Sequence, residues 1–89
     1  DSTDSYALLN RAQYRINLKD YKGAMHDYAL LVKNIPENSD FWVGLGIQKI
    51  NLGMKKEGLK DLRKALALCK DETRMKAIQG MIERNSSAK

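Results

Sequence analysis

The sequence predicts an all-α protein made of stacked antiparallel helix hairpins, about five helices in all, and two observations carry that prediction. The chain repeats itself with a period of 34 residues: Ile16-Asn17-Leu18 returns as Ile50-Asn51-Leu52, Lys22 as Lys56 and Asp27 as Asp61. Chemically similar pairs extend the register, namely Leu8 with Trp42, Ala12 with Gly46, Ala24 with Gly58, Tyr28 with Leu62 and Leu31 with Ala65. Within each period the apolar residues recur at spacings of three and four, the signature of helices, and no strand pattern competes. A fixed period of roughly 20–50 residues marks an architecture in which each unit buries its apolar face against its neighbours.

The first helix is expected from about Ser5 to Asn17, with Leu8, Ala12 and Arg15 on one stripe and Leu9, Gln13 and Ile16 on the next. Ser5 or Asp4 can cap its first turn. After a short turn at Leu18-Lys19-Asp20, a sustained stripe of Tyr21, Ala24, Met25, Tyr28, Leu31, Val32 and Ile35 forms the second helix. Pro36 ends that hairpin, because it lacks an amide hydrogen and pushes Ile35 out of the α region. Asn38, Ser39 and Asp40 then offer caps for a third helix to about Leu52, and Gly53 stops it. A fourth helix from about Lys55 to Cys69 is expected to bury Leu59, Leu62, Ala65, Leu66 and Cys69. A fifth, from about Thr73 to Arg84, carries Met75, Ile78, Met81 and Ile82 and reads as the first half of a third unit. The small residues Ala12, Gly46, Ala24 and Gly58 mark close helix approach, with Trp42 and Tyr28 suited to fill the notches.

Composition limits the rest. The 89 residues make one domain at most, 43% hydrophobic and 30% charged, which is ordinary for a folded protein outside the membrane. No apolar run approaches the roughly 18–20 residues of a membrane span, and no signal-peptide pattern opens the chain. Asp1 in place of an initiator Met leads to the expectation of an upstream segment in a larger protein. Cys69 reads as a small buried hydrophobe rather than a reactive thiol, and solitary His26 has no second ligand at metal spacing. The compartment stays open, with the cytoplasm as the default expectation. No phosphate-cradling glycine loop, paired metal ligands or nucleophile beside a base is present, so neither enzyme activity nor a cofactor is expected.

At this point the residues resemble the tetratricopeptide repeat, whose pattern runs Trp, Leu-Gly, Tyr, Ala, an aromatic and Pro. The second unit supplies Trp42, Leu45-Gly46, Gly58, Leu62 and Ala65, and the first supplies Leu8, Ala12, Asp20-Tyr21, Ala24, Tyr28 and Pro36. Arg15 and Lys49 stand where the family has Tyr, Lys70 where it has a second Pro, and Lys76 at the place of Trp42. The resemblance implies a right-handed superhelical stack in a single domain, residues 1–89. It would comprise repeats at 5–38 and 39–72, a terminal capping helix at 73–85 and a polar tail at 86–89.

The resemblance also implies a protein–protein interaction module whose first helices line a concave groove for a peptide or partner helix. Carried over by position, that groove comprises Tyr6, Leu9, Asn10, Gln13 and Asn17, then Asp40, Val43, Gly44, Ile47 and Ile50, then Arg74, Ala77, Ile78 and Met81. Val43, Ile47, Ile50, Ile78 and Met81 make its C-terminal half apolar, and Gly44 would admit a ligand backbone. The alternative is that these side chains pack on one another or on a following repeat. Of the two-carboxylate clamp found in some members, Asn10 alone could belong; Leu9, Asp40 and Gly44 lie where basic or amide groups would be wanted.

The formal net charge of +5 is uneven: residues 54–89 carry ten basic and five acidic groups, against six of each in residues 1–53. Lys55, Lys56, Lys60, Arg63 and Lys64 form the polar side of the fourth helix, which reads as a solvated face partly paired with Glu57 and Asp61. Nucleic-acid binding through this basic half is the alternative function; the scarcity of Arg and Lys in the groove and of interleaved aromatics argues against it. Repeat stacks need about three units, so this chain is expected either to belong to a longer array or to self-associate.

Overall fold

The computed structural model describes residues 4–86, which form five helices and no strand: α1 (Ser5–Asn17), α2 (Tyr21–Asn34), α3 (Ser39–Asn51), α4 (Lys55–Leu68) and α5 (Glu72–Ser86). Each helix packs on the next in the chain, α1 on α2 through to α4 on α5. No helix among the described residues is long and apolar enough to cross a membrane.

The period seen in the sequence is a period in the backbone. In the first hairpin turn, Lys19 N–H donates to the Ile16 carbonyl (2.8 Å) and Asp20 N–H to the Arg15 carbonyl (2.7 Å); in the second, Gly53 N–H donates to Ile50 (3.0 Å) and Met54 N–H to Lys49 (2.8 Å). These are the paired bonds of a helix end closed by one left-handed residue. That residue is Lys19 (φ 62°) in one turn and Gly53 (φ 83°) in the other. A side chain in this region costs about 1–2 kcal/mol, which glycine avoids at a smaller entropic cost. Lys19→Gly should therefore stabilise the fold by up to about 1 kcal/mol and Gly53→Ala destabilise it by about as much, read as opposite shifts in urea midpoint at unchanged slope.

Side chains cap the starts of α1, α2 and α3, those of α1 and α3 from among the expected residues. Asp4, Asp20 and Asn38 accept from the amides of Tyr6 (3.0 Å), Gly23 (2.9 Å) and Phe41 (3.2 Å). Met54 precedes α4 and offers no such bond. The Asp71 side chain accepts from Thr73 N–H at 3.1 Å, and α5 begins at Glu72, one residue earlier than the period predicts. It also runs through Ser86, whose hydroxyl donates to the Ile82 carbonyl at 2.6 Å, so Ser86 belongs to the helix rather than to a tail; residues 87–89 lie outside the described part.

The core gathers Leu8, Ala12, Ala24, Tyr28, Leu31, Val32, Phe41 and Leu45, with Trp42 packed at its margin. Phe41, which the helical pattern did not single out, is buried, and Trp42 is half-buried against the same core, its indole N–H donating to the Pro36 carbonyl at 2.7 Å and Lys64 Nζ standing 5.8 Å from its ring centre. Two residues expected in the core are less buried than that. Leu66 and Cys69 are half-buried, Cys69 being the residue at which α4 ends. The α3–α4 seam is closed by backbone: a Cβ on Gly46 would lie 2.8 Å from the Gly58 carbonyl oxygen, and one on Gly58 would lie 2.7 Å from that of Gly46.

Arg15 and Lys49, one period apart, hold a repeated ion pair. Arg15 Nη1 lies 3.1 Å from Asp27 Oδ1, and one period later Lys49 Nζ lies 2.9 Å from Asp61 Oδ2. Asp27 is fully buried and receives Arg11 as well, at 2.7 Å, which holds the Arg11 proton more tightly through their hydrogen bond and charge. Asp61 has a close cation, yet its Oδ2 lacks a well-directed hydrogen bond. The two hairpins thus repeat the charge pair with unequal quality.

Candidate protein-binding groove

The residues assigned to the groove sit on α1, α3 and α5, the first helix of each unit, and the structure gathers them into three groups. Tyr6, Asp40 and Arg74 hold one place in successive units. Arg74 Nη1 donates to Asp40 Oδ2 at 2.6 Å and Arg74 Nε lies 3.7 Å from Asp71, so α3 and α5 are tied at one end of the face. Both partners are largely exposed, and such a pair contributes no more than about 1 kcal/mol. Tyr6, at 79% exposure, stands open on α1.

In the middle, Tyr28 reaches across from α2. A Cβ on Gly44 would overlap the Tyr28 ring, so Gly44 serves this internal contact and the expectation that it admits a ligand backbone is overturned. Burial pushes the Tyr28 phenol above its usual value; a hydrogen bond from Gln13 acts against that rise, and the nearby Asp40 charge adds to it. Gln13, Tyr28, Gly44 and Asp40 are therefore one cluster. It joins α1, α2 and α3.

At the C-terminal end, Ile47, Ile50 and Met81 line a cleft of about 270 Å³ together with Leu62, Asn51, Arg84 and Asn85. Three of the predicted apolar residues, from two successive equivalent helices, are thereby brought to one place. Val43 is half-buried on the same helix as Ile47. Ile78, by contrast, is only 4% exposed, and it belongs to the interior rather than to a binding surface. One period separates it from Gly44, as one period separates Leu62 from Tyr28: where the first-helix position is empty the second-helix residue is large, and where it is filled the second-helix residue is smaller. Leu9 packs against the core, while Asn10, Asn17 and Ala77 are exposed and join none of the three groups.

Sequence reasoning missed Tyr28, Leu62, Asn51, Arg84 and Asn85 as members of this face. A signal existed for two of them. Asn17, Asn51 and Asn85 share one place in the period, so carrying Asn17 forward would have found both. Tyr28 and Leu62 gave none, because they belong to the second helices and reach the face by passing between first helices.

The chemistry available here is recognition: an apolar cleft, an amide-bearing rim and a paired charge. No group of three or more His, Cys, Asp or Glu side chains able to hold a metal occurs among the described residues. In comparisons with known proteins, no family model, no curated protein and no solved structure matches the chain.

Proposed function

We propose that this chain is an interaction module of the tetratricopeptide kind that holds an amphipathic peptide or partner helix on the face shared by α1, α3 and α5. The cleft at Ile47, Ile50 and Met81 carries the reading. Its walls are apolar side chains left half-exposed by their own fold, and Asn51 and Asn85 flank it with groups that donate and accept hydrogen bonds. An apolar anchor with polar groups fixing its orientation is the usual composition of a peptide site. The one cation among the sequence-derived groove positions, Arg74, is held by Asp40, which leaves no free cationic track there for a polynucleotide. A second copy of the chain is one partner such a face accepts.

Selection from a displayed peptide library against the folded chain tests the reading. Enriched peptides should carry apolar residues at helical spacing, and Ile47→Asp should weaken them at least about tenfold, equivalent to about 1.4 kcal/mol, with the helical circular dichroism unchanged. Binders indifferent to both Ile47→Asp and Met81→Asp would overturn the proposal, as would a library that yields none.

A further inference from the structure

The cations of this chain are sorted by helix. Every ion pair among the described residues draws its cation from α1, α3 or α5: Arg11 and Arg15 on Asp27, Arg15 on Asp20, Lys49 on Asp61, and Arg74 on Asp40 and Asp71. Lys22 of α2 and Lys55, Lys56, Lys60 and Arg63 of α4 take part in none of them, and all five are exposed. Lys22 and Lys56 hold the same place in successive units. Lys56, Lys60 and Lys64 follow one another at four-residue steps, a like-charge ladder that weakens the helix carrying it. Lys56, Lys60 and Arg63 line one shallow hollow in which Glu57 is the single carboxylate. On the exposed side of α4 the cations Lys55, Lys56, Lys60, Arg63 and Lys64 stand against the one exposed carboxylate Glu57.

A second observation lies among these cations. A cleft of about 320 Å³ is lined by the apolar residues Met25, Ala29, Leu45 and Met54 and by Lys22, His26 and Lys49. Methionine is the most adaptable of apolar side chains. Met54, at the start of α4, is followed directly by Lys55 and Lys56.

We propose that the exposed side of α2 and α4 binds an anionic phospholipid bilayer, the lysines and Arg63 meeting headgroup charges while the Met25–Met54 cleft takes up apolar contact at the acyl boundary. Peripheral binding of this type combines basic side chains with buried apolar area. A polynucleotide would use the cations but not the apolar cleft, and a single strand would in addition draw on aromatics to stack on. Trp42, beside Lys64, has its ring under that ammonium and its N–H bonded to the Pro36 carbonyl.

Co-sedimentation of the intact chain with phosphatidylcholine–phosphatidylserine vesicles and with phosphatidylcholine vesicles tests this. Binding should require phosphatidylserine and weaken with salt. The double variant Lys56→Glu/Lys60→Glu should lower the partition at least about tenfold; Lys56 lies in the first turn of α4, where the helix dipole favours an acid, and circular dichroism checks that the helices persist. Met54→Ser, which supplies the cap that α4 lacks, should lower the partition roughly threefold without loss of stability. Equal binding to phosphatidylcholine, no binding to either vesicle, or a partition indifferent to the double variant overturns the proposal. An oligonucleotide bound more tightly than the vesicles overturns it in favour of nucleic acid.

Discussion

Gly58→Ala lowers the stability of this domain by about 1–3 kcal/mol, the range for forcing extra methyl groups into a packed seam, and Gly46→Ala does nearly the same. Alanine favours helix over glycine by about 1 kcal/mol in an unconstrained position, so propensity alone predicts the opposite sign. Packing decides. A new Cβ on Gly58 would stand 2.7 Å from the Gly46 carbonyl oxygen and 2.6 Å from Ile50 Cγ1, and one on Gly46 would stand 2.8 Å from the Gly58 carbonyl oxygen. Ile50 can rotate away; a helix carbonyl cannot, so α3 and α4 must separate. The same places in the first hairpin are Ala12 and Ala24, both fully buried, and reverting either to glycine should cost rather than gain. For a chain of this length about 1 kcal/mol corresponds to a shift of roughly 4–8 °C in Tm, so thermal unfolding separates the two outcomes easily. A Gly58→Ala variant as stable as the parent would show that the hairpins are interchangeable.

Asp27→Ala should cost about 1.5–3 kcal/mol, the range for hydrogen bonds to a charged group, and Asp61→Ala should cost less, because Asp61, although buried, meets one cation rather than two and has an oxygen that receives no well-directed donor. The two residues occupy equivalent places, yet their surroundings differ. Asp27 is fully buried and accepts from Arg11 at 2.7 Å and from Arg15 at 3.1 Å, with Arg15 also reaching the Gly23 carbonyl at 3.2 Å. Its carboxylate thus ties two turns of α1 to α2. Asp61 meets the single cation Lys49, and its Oδ2 receives no well-directed donor. Urea denaturation of both variants tests the ordering. Equal losses would mean that the second arginine adds nothing.

Much of the architecture was legible because helix formation leaves local marks. The three- and four-residue spacing of Tyr21 to Ile35, the cap at Asn38, the break at Pro36 and the stop at Gly53 each depend on residues within a turn or two. The turn at Leu18-Lys19-Asp20 returns with the same hydrogen bonds one period later. The apolar end of the candidate groove was legible too, since Ile47, Ile50 and Met81 reach one cleft. Gly44 and Ile78 went wrong for one shared reason: helical spacing tells which side of a helix faces inward, but not how large the opposing side chain is. Phe41 was not singled out for the same reason: it and Trp42 are adjacent on one helix, about 100° apart, and the structure buries Phe41 while leaving Trp42 half-buried.

What the sequence determined by itself is therefore the set of helices, their boundaries to within a residue or two, and the recurrence of one unit along the chain, all consequences of dihedral preference, capping and periodic burial. Only the tertiary structure decided that Tyr28 occupies the space Gly44 vacates, that Gly46 and Gly58 bring two backbones into contact, and that Asp27 is sealed beneath two arginines while Asp61 is not. These are relations between residues far apart in the chain, fixed by the offset and distance between whole helices. No local pattern records that offset, because it is set by the sum of all the contacts across each seam.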